Sequence, residues 1–196
     1  VQSRRIAGFR ASASYAPDGE PCGADTCRPP PGAVARAEVR HIWSAALSFD
    51  RRMPSTGQRW EAFAGVERGQ AEGEFAPYFE DPWAASARLV WSSGDVSLGA
   101  GWLAGNDGLE RARYSAVSLS GSLERGDWLF SAEAARGKSR LVDASGFSLL
   151  TGASRFVGHN ALIGIGVLVT EERRSRASGP ARRSGAAVFA EAGLRF

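Results

Sequence analysis

Apolar and polar residues alternate along most of this chain. Residues 161–170 show the pattern plainly. Ala161, Ile163, Ile165, Val167 and Val169 share one parity, and Gly164, Gly166 and Thr170 share the other. A period of two gives a strand whose faces meet different surroundings. The same reading predicts ten strands, near residues 4–16, 34–49, 58–68, 83–92, 96–104, 110–123, 128–136, 146–156, 161–170 and 185–196. In the first, Ala7, Phe9, Ala11, Ala13 and Tyr15 form the apolar side. In the second, Val39, Trp43, Ala45, Leu47 and Phe49 oppose Arg36, Glu38 and Arg40. The sixth is patterned only at Val117, Leu119 and Leu123, so a bulge is expected near Tyr114. The eighth has no clear parity.

The connections alternate in length. Ser92-Ser93-Gly94-Asp95, Glu124-Arg125-Gly126-Asp127 and Val157-Gly158-His159-Asn160 read as tight hairpin turns, with a slightly longer one at 50–57. Between them fall charged or Gly/Pro-rich segments at 17–33, 69–82, 105–109, 137–145 and 171–184. Short turns therefore gather at one rim and longer loops at the other, and an even strand count puts both termini at the short-turn rim. No apolar run reaches the ~18 residues of a membrane-crossing helix. The longest, 161–169, is close to the ~9–11 residues with which a tilted strand crosses a bilayer. The whole chain, 1–196, reads as one domain.

The chain ends in Ala190-Glu191-Ala192-Gly193-Leu194-Arg195-Phe196, an alternating strand closed by an aromatic residue. With the alternation of short turns and long loops, this resembles the Gram-negative outer-membrane β-barrel proteins. The resemblance implies an all-β, closed, antiparallel up-and-down transmembrane barrel of about ten strands, with eight or twelve as alternatives. It implies an outer-membrane location, periplasmic termini and extracellular long loops. It also implies that Phe196 and its strand are the insertion signal read by the barrel-assembly machinery, and that outer-membrane lipid and lipopolysaccharide are partners. Trp60, Trp91 and Trp128 beside short turns, with Trp83 at the opposite end of its strand, read as two aromatic girdles. A soluble β-sandwich alternates as well and is the competing fold; it would place these tryptophans in a core.

Charge narrows the function only a little. Of 24 basic residues only Lys138 is lysine, and the net charge of +3 gives no case for nucleic acid. A metal site wants four such ligands, and only His41 and His159 could join Cys22 and Cys27. A small disulfide loop fits them better and suits an oxidising compartment; its closure stabilises by at most about 2 kcal/mol. No metal or cofactor is expected.

The polar side of the strands supplies the candidate site: Arg10, Arg36, Glu38, Arg40, Arg59, Glu61, Arg88, Glu133, Glu191 and Arg195 as residues lining a lumen. Either they form a small porin-like channel in which arginine favours anions, or Arg–Glu pairs plug a structural barrel. Arg173, Arg174, Arg176, Arg182 and Arg183 read as a basic loop for lipopolysaccharide or other anionic groups. The alternative function is a surface-loop interaction module, or a barrel subunit of an envelope complex, displaying the cysteine-bearing loop. An enzyme is not expected: His159 falls in a short turn, His41 shares the parity of Trp43, and no nucleophile elbow is present. A hydrolase or acyltransferase is the minor alternative.

Overall fold

The computed structural model describes residues 1–19, 38–73, 76–106, 108, 113–140, 143–158, 161–175 and 181–194. Cys22, Cys27, Arg36, His159, Arg176, Arg195 and Phe196 lie outside them, as does the Glu38 side chain.

Ten strands form one sheet in sequence order: β1 (Phe9–Gly19), β2 (Glu38–Arg52), β3 (Arg59–Glu72), β4 (Trp83–Ser93), β5 (Val96–Asn106), β6 (Tyr114–Arg125), β7 (Trp128–Ser139), β8 (Ala144–Val157), β9 (Ala161–Arg174) and β10 (Ala181–Leu194). Every neighbouring pair is antiparallel. The register joins the apolar parities into one continuous face. Phe49 stands opposite Ala62, Ala62 opposite Leu89, Leu89 opposite Ala100, and the row continues through Leu119, Ala134, Leu149 and Val169 to Ala186. A single one-residue slip would break this row. The two weakly patterned strands also fit: Val117, Leu119 and Leu123 of β6 and Phe147, Leu149 and Ala153 of β8 lie on the apolar face.

That face is uncovered. Val188 is 72% exposed, Leu119 67% and Ile165 59%. Among the described residues no large side chain is fully buried, which excludes the sandwich with its tryptophan core. The accessible surface is 14395 Å², against about 9,000 Å² for a compact monomer of this mass. The sheet is one layer thick.

Three details differ from the sequence expectation. First, the chain before β1 is not a continuation of it. Ala7 (φ 51°) and Gly8 (φ 93°) make a tight turn, and residues 1–6 fold back along β1. Ser3 N–H donates to Ala11 O at 2.8 Å, Ala13 N–H to Val1 O at 2.9 Å, and Ile6 and Phe9 exchange bonds. Val1 therefore lies beside Ala13, partway up the wall and not at the rim. Second, the bulge falls in β2, between Arg40 and Trp43, not near Tyr114. His41 has φ 51° there, and the extra residue reverses the parity beyond it relative to β3. Third, the strands overrun the expected limits at the long-loop rim: β9 continues to Arg174 and β10 begins at Ala181.

Closure into a barrel is not made by these pairings. Residues 1–6 occupy the lower part of the outer edge of β1, and the outer edge of β10 has no partner among the described residues.

Candidate functional site: the polar face and the basic rim

On the polar face one charge cluster joins the N-terminal segment to β1–β4, while Glu67, Glu133, Glu172, Arg174, Arg183 and Glu191 share the face elsewhere. Asp50, near the end of β2, receives three hydrogen bonds. Arg59 donates to its two oxygens at 3.0 Å each, and Arg5 of the N-terminal segment donates at 2.7 Å. Arg59 also lies 3.2 Å from Glu61, whose other oxygen is 3.8 Å from Arg88. The cause is local. Alternation puts Asp50, Glu61 and Arg88 on one parity, and the register sets Asp50 opposite Glu61 and Arg88 one residue pair away. Arg10 sits on the same face, opposite Ser48, with its Nε buried and without a hydrogen-bond partner. Four guanidiniums thus meet two carboxylates. Arg88 is 65% exposed and loosely held.

From β4 to β7 serine and glycine make up much of the polar face, beside Val90, Leu103, Tyr114 and Leu129. A row of Ser92, Ser97, Ser122 and Ser131 crosses it, with Ser97 Oγ donating to Ser92 Oγ at 2.9 Å. Gly99 and Gly101 face Ser120 and Ser118. Farther on, Glu133 is exposed and makes no ion pair with a described residue. Glu191 accepts a bond from Ser154 Oγ at 2.7 Å. Gly164 and Gly166 leave room for Glu191 and the Phe189 ring.

The sequence assignment of this face therefore divides. Arg10, Arg59, Glu61, Arg88, Glu133 and Glu191 lie on it. Arg40 does not, because the bulge turns it to the other face, where it is 3.8 Å from Glu72. Glu38 stands beyond the same bulge, in register with Glu72. Alternation alone does not point to Arg5 or Asp50, because it makes Arg5 part of the first strand and Asp50 part of a turn. Charge spacing around the Ala7-Gly8 turn is the one signal that could have found them.

Four of the five arginines of the basic segment lie on strands, and Arg176 is outside the described residues. Arg173 and Arg174 end β9, and Arg182 and Arg183 begin β10. Alternation splits them between faces. Glu172, Arg174 and Arg183 share the polar face, where Arg174 binds Glu172. Arg173 and Arg182 share the apolar face's parity and both bind Glu171, at 2.8 and 2.7 Å. They continue a cross-strand row with Ser145 and Lys138, and Arg136 lies one row nearer the apolar band. Arg136, Phe147, Glu171 and Arg173 line a groove of about 310 Å³ there. The same parity holds an aromatic group at the far end of β1 and β2. Tyr15 and Trp43 rings are 4.5 Å apart, and the Tyr15 hydroxyl is 2.6 Å from His41 Nδ1. Trp60 and Trp91, partners across β3 and β4, mark the opposite rim at 6.5 Å.

A single-layer, up-and-down antiparallel sheet with one apolar and one polar face is a barrel-wall design. The comparison with solved structures agrees. The anion-selective porin from Comamonas acidovorans superposes with a TM-score of 0.62 over 98% of this chain and 55% of that one. The fold is porin-like. The identity is only 13%, and this porin-like wall spans about half the length of that protein. No protein-family model matches the chain, and no curated protein matches it either.

Proposed function

We propose that the porin-like wall lies in a bacterial outer membrane and borders an aqueous channel that favours anions. The observation that carries this is one cluster on the polar face, near the tight-turn rim, where four guanidiniums meet two carboxylates beside serine and glycine positions. Exposed, weakly paired Arg88 is the member freest to meet a passing ion. The apolar face, flanked by aromatic residues at both ends, matches the lipid-facing band of such barrels. The serine and glycine positions beside the arginine group also argue against a plug of matched ion pairs.

The same reading makes Lys138, Arg173 and Arg182 neighbours of lipid phosphates. They form a row beyond the last apolar positions and share that face's parity. Guanidiniums bind phosphate in a two-pronged geometry that suits such a level.

Planar-bilayer conductance in a salt gradient tests the channel. Unitary steps with an anion-selective reversal potential are expected, and Arg88→Glu shifts that potential toward cation selectivity. An inserted, folded protein that never conducts would overturn the proposal.

A further inference from the structure

The two lateral edges of the sheet point the same way. Residues 1–6 run toward the tight-turn rim before turning at Ala7-Gly8. β10 runs toward that rim too, since Leu194 faces Ala161 at the start of β9. Joined directly, these edges would make a parallel pair in a sheet whose other pairs are all antiparallel. Pairing β10 with β1 instead would be antiparallel, but from Phe9 to Ala13 the outer edge of β1 already bonds residues 1–6. A second copy in the same membrane orientation offers the same descending edge and meets the same mismatch.

Within a bilayer no strand edge stays unpaired, because each orphaned backbone group costs several kcal/mol. We infer that the free edge of β10 receives a strand running from the tight-turn rim to the long-loop rim, and that strands of alternating direction, odd in total and from polypeptide outside residues 1–196, complete the wall. The inference rests on the membrane reading above. The arriving strand must alternate in step with β10, which presents Ala186, Val188, Ala190 and Ala192 on its apolar parity and Phe189 and Glu191 on the other. Extent points the same way: the match covers nearly all of this chain but only 55% of the porin.

Gln2 and Ser12 provide the test. The bonds from Ser3 to Ala11 and from Ala13 to Val1 bracket them, so they form a non-hydrogen-bonded pair. Cα atoms in such pairs are about 4.5 Å apart, within disulfide reach. In a Cys22→Ser/Cys27→Ser background refolded in dodecyl maltoside, Gln2→Cys/Ser12→Cys should oxidise almost completely. Ser12→Cys combined in turn with Ala187→Cys, Phe189→Cys or Glu191→Cys should not crosslink. By hydrogen exchange, about half of the β10 amides should exchange without protection while β9 stays protected. A Ser12–β10 crosslink would mean self-closure and overturn the inference. So would a dimer linked through a β10 cysteine, which names a second copy, or full protection of β10 in the locked monomer. Phosphatidylcholine vesicles provide a separate arm: a folded chain that fails to float with them removes the membrane reading, and the need for completion with it, whatever the crosslinks show.

Discussion

Asp50 holds two guanidiniums at once, Arg59 through two parallel bonds and Arg5 through a third. Arg155 and Asp127, by contrast, touch at 3.9 Å with both side chains more than half exposed. Exposed ion pairs contribute little unless their geometry is good or several charges share it. Asp50→Asn should therefore lower stability by about 1 kcal/mol, read as a drop in the urea midpoint of unfolding. Asp127→Asn should leave that midpoint unmoved. Asn106 shows the opposite regime. It is 4% exposed, and its side chain takes a bond from Trp83 N–H at 2.8 Å and gives bonds to Glu80 and the Asp81 carbonyl at 3.2 Å. One buried amide so ties the β3–β4 connection to the wall.

At the level of the element, the hairpin of residues 1–6 with β1 depends on Gly8. Its φ of +93° is one that L side chains avoid, and an added Cβ would come within 2.9 Å of the Asp50 carbonyl. Gly8→Val is expected to cost about 1–2 kcal/mol locally. Hydrogen exchange should show residues 1–6 losing protection while β2–β9 keep theirs. The sequence hid this hairpin because Ala7 happens to continue the alternation of Phe9, Ala11 and Ala13, and alanine seldom adopts a positive φ. The bulge was hidden similarly. Glu38 and Arg40 alternate with Val39, and only cross-strand pairing reveals that His41 is an added residue. Where one element carried both a clear alternation and a Gly turn, as around Gly94 and Gly126, the reading of strand and turn agreed with the structure. The overrun of β9 and β10 was illegible for another reason. Charged residues beyond the apolar band still pair as strands, although their composition resembles a loop.

Across the whole molecule, parity decides what a substitution does. Val167 and Leu168 are adjacent on β9 but face opposite ways. Val167→Arg on the apolar face should reduce folding into lipid vesicles by about 2–4 kcal/mol if it lies near the bilayer midplane. Leu168→Arg should cost clearly less. Equal penalties at both positions would contradict two faces in different surroundings. The global order of strands and their one-sided apolar face were written in the sequence, because each follows from period two and from the placing of turns. The open edges were not, since they depend on which way the first six residues run.

Each strand here pairs only with the strands before and after it in the chain. Stability in such an array is close to a sum of neighbour terms. The inheritable unit is then the hairpin: adding or deleting two strands keeps the direction and facing of every other strand. A gene encoding such a wall can change the width of the sheet by duplicating a hairpin's worth of codons, with no remodelling of a shared core.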